Sequence, residues 1–119
     1  MKDNIIKLTL QQIRLLKKQF QPLIFNNDFN LVYESQVPNT GIVLVNGELA
    51  LLQKKKIFTK IKPGNMLGVR ELIDNRPVGT GCMVMGNSEL ILIQKTDLLN
   101  ALSDRRSELY SILAGHIKA

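Results

Sequence analysis

The chain has little of what catalysis usually needs. Its 119 residues hold one cysteine, one histidine and no tryptophan. A lone Cys82 permits no internal disulfide and fits a reducing compartment, so a cytoplasmic location is expected. It sits in the run Cys82-Met83-Val84-Met85 and reads as a buried, inert thiol. His116 is close to the C-terminus and reads as a residue favoured by a helix dipole. A β-barrel metal site needs several clustered His and carboxylate ligands, and a Ser or Cys nucleophile needs a nearby base. One terminal histidine supplies neither. Glu71 and Asp74 lie within one turn and read as a solvated helix face. No enzyme activity, metal or cofactor is therefore expected. No apolar run approaches the roughly 20 residues that cross a bilayer, and Ile5-Ile6 is too short for a signal-peptide core. Aromatics make up 5% of residues and none interleaves with the lysines, so a single-stranded nucleic acid is not an expected partner.

What is present describes one globular domain over 1–119. The hydrophobic share is 45%, enough for a single core. The net charge of +6 lies wholly in residues 1–62, which hold ten Lys/Arg against four Asp/Glu; the remainder holds six of each. That asymmetry suits an anionic partner, though a solvated face that keeps the protein in solution is the plainer reading.

An N-terminal helical segment is expected over 1–21. Thr9-Leu10-Gln11-Gln12 has capping-box spacing, and Leu10, Ile13, Leu16 and Phe20 recur at helical intervals before Pro22. Residues 22–95 are a series of short apolar runs broken by turn residues. Asn46-Gly47 suits a two-residue hairpin between two of them, and Lys54-Lys55-Lys56 suits a solvated hairpin tip that discourages edge pairing. Strands at this spacing argue an antiparallel sandwich or barrel, best matched by a jelly roll with flanking helices. Residues 96–119 are expected to be helical, with Thr96-Asp97 and Ser103-Asp104 as caps. Leu109, Ile112, Leu113 and Ile117 form an apolar stripe there, and a homodimer through that stripe is expected.

Residues 67–80 stand apart. Gly68 precedes one turn of helix through Val69, Arg70, Glu71 and Leu72, then a polar loop leads to Arg76, Pro77, Val78, Gly79 and Thr80. A glycine before a helical turn lets backbone N–H groups converge on an anion. This run resembles the phosphate-binding cassette of the cyclic nucleotide-binding domain family, in a β-roll like that of the cAMP receptor protein. Gly68, Leu72, Ile73, Pro77, Gly79 and Thr80 match its pattern. Gly47 matches a strand-ending glycine, while Glu34-Ser35 lacks a turn glycine. The resemblance runs from about Leu31 to the C-terminus, and the DNA-binding helix-turn-helix that many relatives carry is not expected. It implies an antiparallel double-stranded β-helix that recognises a cyclic nucleotide or another signal.

The resemblance also marks two departures. Val69 stands where the family has a ribose-binding glutamate, and Val78 where it has a phosphate-binding arginine. Losing a buried charged hydrogen bond to a ligand costs about 2–5 kcal/mol. Two such losses would place cAMP and cGMP outside a useful range. The expectation is a non-catalytic regulatory or adaptor domain that acts through protein partners. The alternative is a small-molecule sensor that uses the Gly68–Leu72 amides, with Arg70 or Arg76 as a substitute cation.

Overall fold

The structure, a computed structural model, describes Met1 and residues 4–116. Its elements follow in order. They are β1 (Ile6–Lys7), α1 (Leu10–Gln19), β2 (Leu23–Phe25), β3 (Phe29–Val32), β4 (Thr40–Asn46), β5 (Leu49–Gln53) and β6 (Lys56–Ile61). Then come β7 (Asn65–Leu67), α2 (Val69–Asp74), β8 (Gly81–Val84), β9 (Ser88–Gln94), α3 (Lys95–Leu102) and α4 (Glu108–Leu113). Two antiparallel sheets form. One has the order β1-β7-β4-β9-β2 and the other β3-β8-β5-β6. The mainly β architecture with flanking helices is the one expected from strand spacing.

The sheets and helices stack as three layers. Between the sheets lies a core that includes Ile42, Leu44, Leu90, Leu49, Leu51, Cys82 and Val84. Behind the five-stranded sheet lies a second core, where Val43, Met66, Ile91 and Ile93 meet Leu16, Leu72, Leu98 and Leu109 from the helices. The five-stranded sheet is thus covered on both faces. That explains why β4 and β9 read as unbroken apolar runs rather than alternating ones.

Local chemistry accounts for the ends of elements. The α1 capping box forms as expected. Thr9 Oγ1 accepts from the Gln12 N–H at 3.1 Å, and Gln12 Oε1 accepts from the Thr9 N–H at 2.8 Å. Lys54 and Lys55 make the β5–β6 turn, both at positive φ (53° and 66°), in the left-handed region. Ser35 takes φ 72° where a turn glycine is missing, so the backbone keeps the turn without that residue.

Six expectations need correction. Residues 1–21 are not helical throughout, because Ile6–Lys7 pair with β7 as a strand before α1 begins. Thr96 and Asp97 do not cap α3 but lie inside it, after the N-cap Gln94. Asn46-Gly47 is not a hairpin turn, because β4 and β5 belong to different sheets and the dipeptide is the corner between them. Gly47, at φ 93°, passes so close to Ser88 that a Cβ would lie 2.7 Å from the Ser88 Cα. The last helix is capped by Ser107, whose Oγ accepts from the Tyr110 N–H at 3.4 Å, and not by Ser103 or Asp104. In α1 the apolar stripe is narrower than its spacing suggests, since Leu10 is 77% exposed while Leu16 is buried. Finally, Leu109, Ile112 and Leu113 are all buried within their own domain, in the helix-side core. This six-residue helix packs against α3 and α1, so those three side chains are not exposed on its surface. Ile117 lies outside the described residues.

Candidate functional site

The cassette begins where β7 ends. Met66 points to the helix-side core and Leu67 to the core between the sheets, so the chain leaves the sheet at a fixed angle. Gly68 then turns at φ 78°, which any other residue would adopt with strain. A Cβ on Gly68 would meet Met1 Cε at 3.0 Å and the Thr40 carbonyl oxygen at 3.6 Å. One short helix, α2, follows and closes at Asn75 in the left-handed conformation, its N–H reaching back to Glu71 and Leu72.

Each expected site residue has a definite place. Val69 is buried against Gly41 and the helix-side core, at 3.0 Å from where a Gly41 Cβ would sit. Val78 is buried in the other core, between the sheets. The two valines therefore do not line one cavity; they anchor the cassette to two different cores. Backbone bonds fix Val78 further. Its N–H donates to the Gln36 carbonyl at 2.8 Å, and its carbonyl accepts from the Ser35 N–H at 2.9 Å. Leu72 is buried beside Val69, one turn on. Pro77 and Gly79 are exposed loop positions, and a Cβ on Gly79 would meet nothing within 4 Å.

The arginines are turned outward. Arg70 Nε lies 3.1 Å from Asp74 Oδ2, and an Arg76 guanidinium nitrogen lies 3.3 Å from that same oxygen. Both side chains are partly exposed and share one carboxylate on the surface of α2. The Glu71 and Arg76 side chains do not pair, although the Arg76 N–H donates to the Glu71 carbonyl at 2.9 Å.

Glu71 is the residue that sequence reasoning misjudged. Far from lying on a solvated face, it is 4% exposed. Its Oε2 lies 3.2 Å from the α-ammonium of Met1, whose side chain is fully buried in the core between the sheets. Its Oε1 and the Thr80 hydroxyl oxygen are buried with no hydrogen-bond partner among the described residues. The cradle that the resemblance assigns to an anion thus has a carboxylate and an ammonium at its inner side, with the Met1 side chain against Gly68. Among the described residues no cluster of His, Cys, Asp and Glu is arranged to hold a metal ion, and no helix is long and apolar enough to cross a membrane.

No family model matches the chain, and no curated protein matches it in sequence. Solved structures do match it. One comes from work described as a cyclic-GMP-dependent signalling pathway that regulates bacterial phytopathogenesis; it has a TM-score of 0.75 at 15% identity over 92% of this chain and 91% of that one. The fold is that of a cyclic nucleotide-binding domain. The catabolite activator protein of Thermus thermophilus matches with a TM-score of 0.67 at 17% identity, over 91% of this chain and 53% of its own. The regulatory subunit of a cAMP-independent protein kinase A from Trypanosoma cruzi, bound to guanosine, matches with a TM-score of 0.59 at 17% identity. That match covers 78% of this chain and 34% of the kinase subunit. This chain spans about half of the Thermus protein and a third of the trypanosome one.

Proposed function

We propose that this cyclic nucleotide-binding fold serves as a non-catalytic regulatory or adaptor module, in which the cassette holds the chain's own residues and not cAMP or cGMP in the usual way. One observation carries this reading: Met1 lies against Gly68, with its ammonium on buried Glu71, while Val69 and Val78 are packed into separate cores. An incoming phosphate would have to displace Met1, meet the Glu71 carboxylate at short range and find no guanidinium pointing inward. Like charges in a site of low dielectric repel by several kcal/mol. Signal output then comes from protein contacts on the outside of the roll. Calorimetric titration with cAMP and cGMP at high protein concentration tests the reading. No saturable heat is expected, and tight binding below about 10 μM would overturn it.

A second reading has one specific observation in its favour. The free acceptor oxygen of Glu71 and the Thr80 hydroxyl are both buried and unpartnered among the described residues. A small-molecule sensor would use them for hydroxyl groups, and the trypanosome neighbour, bound to guanosine, offers an uncharged ligand for this fold. In the form with a cyclic mono- or dinucleotide on the Gly68–Leu72 amides, Arg70 or Arg76 must swing away from Asp74 to supply the cation. If Arg70→Ala and Arg76→Ala leave a measured affinity unchanged, that form fails; saturable guanosine binding lost in Glu71→Gln would establish the uncharged form instead.

A further inference from the structure

The four-stranded sheet has a face that the helices leave open. Strand register places Asn30, Ala50 and Met83 side by side, and Leu52 opposite Gly81, on the face turned away from the core. Their neighbours Leu51, Cys82 and Val84 point inward. On the outer face lies a groove of about 550 Å³ with Leu52, Gly81 and Met83 along its floor. Cavities of roughly 300–1,000 Å³ are the size class that takes small molecules. Gly81 shapes it: a Cβ there would come within 3.3 Å of the Val32 carbonyl oxygen and the Glu34 nitrogen, so a bare backbone lets β3 close in.

The rim is charged. Lys54 and Lys55 line the groove, together with Tyr33, which is 59% exposed. Among the described residues neither lysine has an ion-pair partner. Glu34, also on the rim, is engaged with the turn itself: its Oε1 accepts from the Lys54 N–H at 2.8 Å. That bond holds two consecutive lysines in left-handed geometry, which glycine or asparagine would adopt at lower cost. An apolar floor therefore ends at two unpaired ammonium groups held by a strained turn.

We infer that this groove binds one free amphipathic carboxylate, with its apolar body on Leu52 and Met83 and its head group at Lys54 and Lys55. The floor is concave, so a single molecule reaches it and a bilayer surface does not. None of the cassette residues 67–80 lines it, so the inference does not depend on what the cassette holds.

Decanoate is the probe, titrated into isotope-labelled protein and followed by amide chemical shifts. Saturable shifts are expected at residues 30–34, 52–55 and 81–83. Decanol, with the same body and no charge, should bind more weakly, and Lys54→Glu combined with Lys55→Glu should weaken decanoate roughly tenfold. In the unmodified protein, raising salt from about 50 mM to about 500 mM should weaken decanoate and leave decanol unchanged. Equal affinity for decanol and decanoate, shifts centred on residues 68–80, or no saturation by about 1 mM would each overturn the inference.

Discussion

Val78 offers the sharpest test of how the cassette is built. It is 2% exposed and packed in the core between the sheets. Val78→Ala removes two methyl-sized groups, at about 0.8 kcal/mol each, and leaves a cavity that the two backbone bonds to residues 35 and 36 keep from collapsing. The expected loss is roughly 2–3 kcal/mol. Val78→Arg restores the charge that the resemblance calls for at this position. An open, vestigial anion site would accept the guanidinium at little cost. A packed core would not: an unpaired buried charge costs several kcal/mol, against a total stability of about 5–15 kcal/mol for a domain. The expected loss for Val78→Arg is therefore about 4 kcal/mol or more, with no gain of cAMP binding. Urea unfolding followed by circular dichroism measures both, with Val37→Arg as the control. Val37 is 40% exposed, and its substitution should stay within about 0.5 kcal/mol of the parent. If Val78→Arg unfolds at the parent's urea concentration and binds cAMP, the packed-cassette account is wrong.

Three further outcomes follow from other parts of the fold. Burial pushes the Cys82 thiol up to about 12, against a small opposing pull from the N-terminal charge. A thiol raised in this way stabilises the fold fully below its unfolded pKa near 9.0, and that contribution is lost as pH rises from there toward 12. The stability gap between the parent and Cys82→Ala should thus shrink by about 1.4 kcal/mol for each pH unit between about 9 and 12, and a gap independent of pH in urea unfolding would refute it. Gly47→Ala should lose about 2 kcal/mol or more in the same measurement, because φ 93° and the Ser88 backbone both oppose a Cβ; a neutral result would mean the β4–β5 corner is looser than described. Thr9→Ala should lose about 1 kcal/mol through the α1 capping box, and no loss would mean that the box does not persist in solution.

Much of this was legible in the chain because local and tertiary signals agree. Thr9 to Gln12 form their cap, the apolar runs became strands, and the lysine triplet sits at a hairpin tip. Gly68 and Gly47 hold the positive φ that a turn requires. The failures share a different cause. Asn46-Gly47 has hairpin chemistry, yet which sheet each flanking strand joins is decided by pairing across the chain, as in β4 with β9. Leu109, Ile112 and Leu113 carry an apolar stripe whose partner, self or twin, cannot be told from the stripe. Glu71 looked solvated because its carboxylate partner is Met1, which is 70 residues away in sequence. The outer-face groove was invisible for the same reason: residues 30, 52, 54 and 81 meet only through sheet register. Within the cassette, Glu71 is buried although it lies off the Val69–Leu72 stripe, so stripe spacing alone did not give its direction.

The central claim, that the cassette is occupied by the chain's own Met1, is tested most directly by methyl-labelled methionine and nuclear Overhauser spectroscopy. The Met1 methyl should show cross-peaks to Gly68, as its Cε position requires, and these should persist when millimolar cAMP is added. Loss of those cross-peaks on addition, with new ones joining the nucleotide to residues 68–72, would contradict the account.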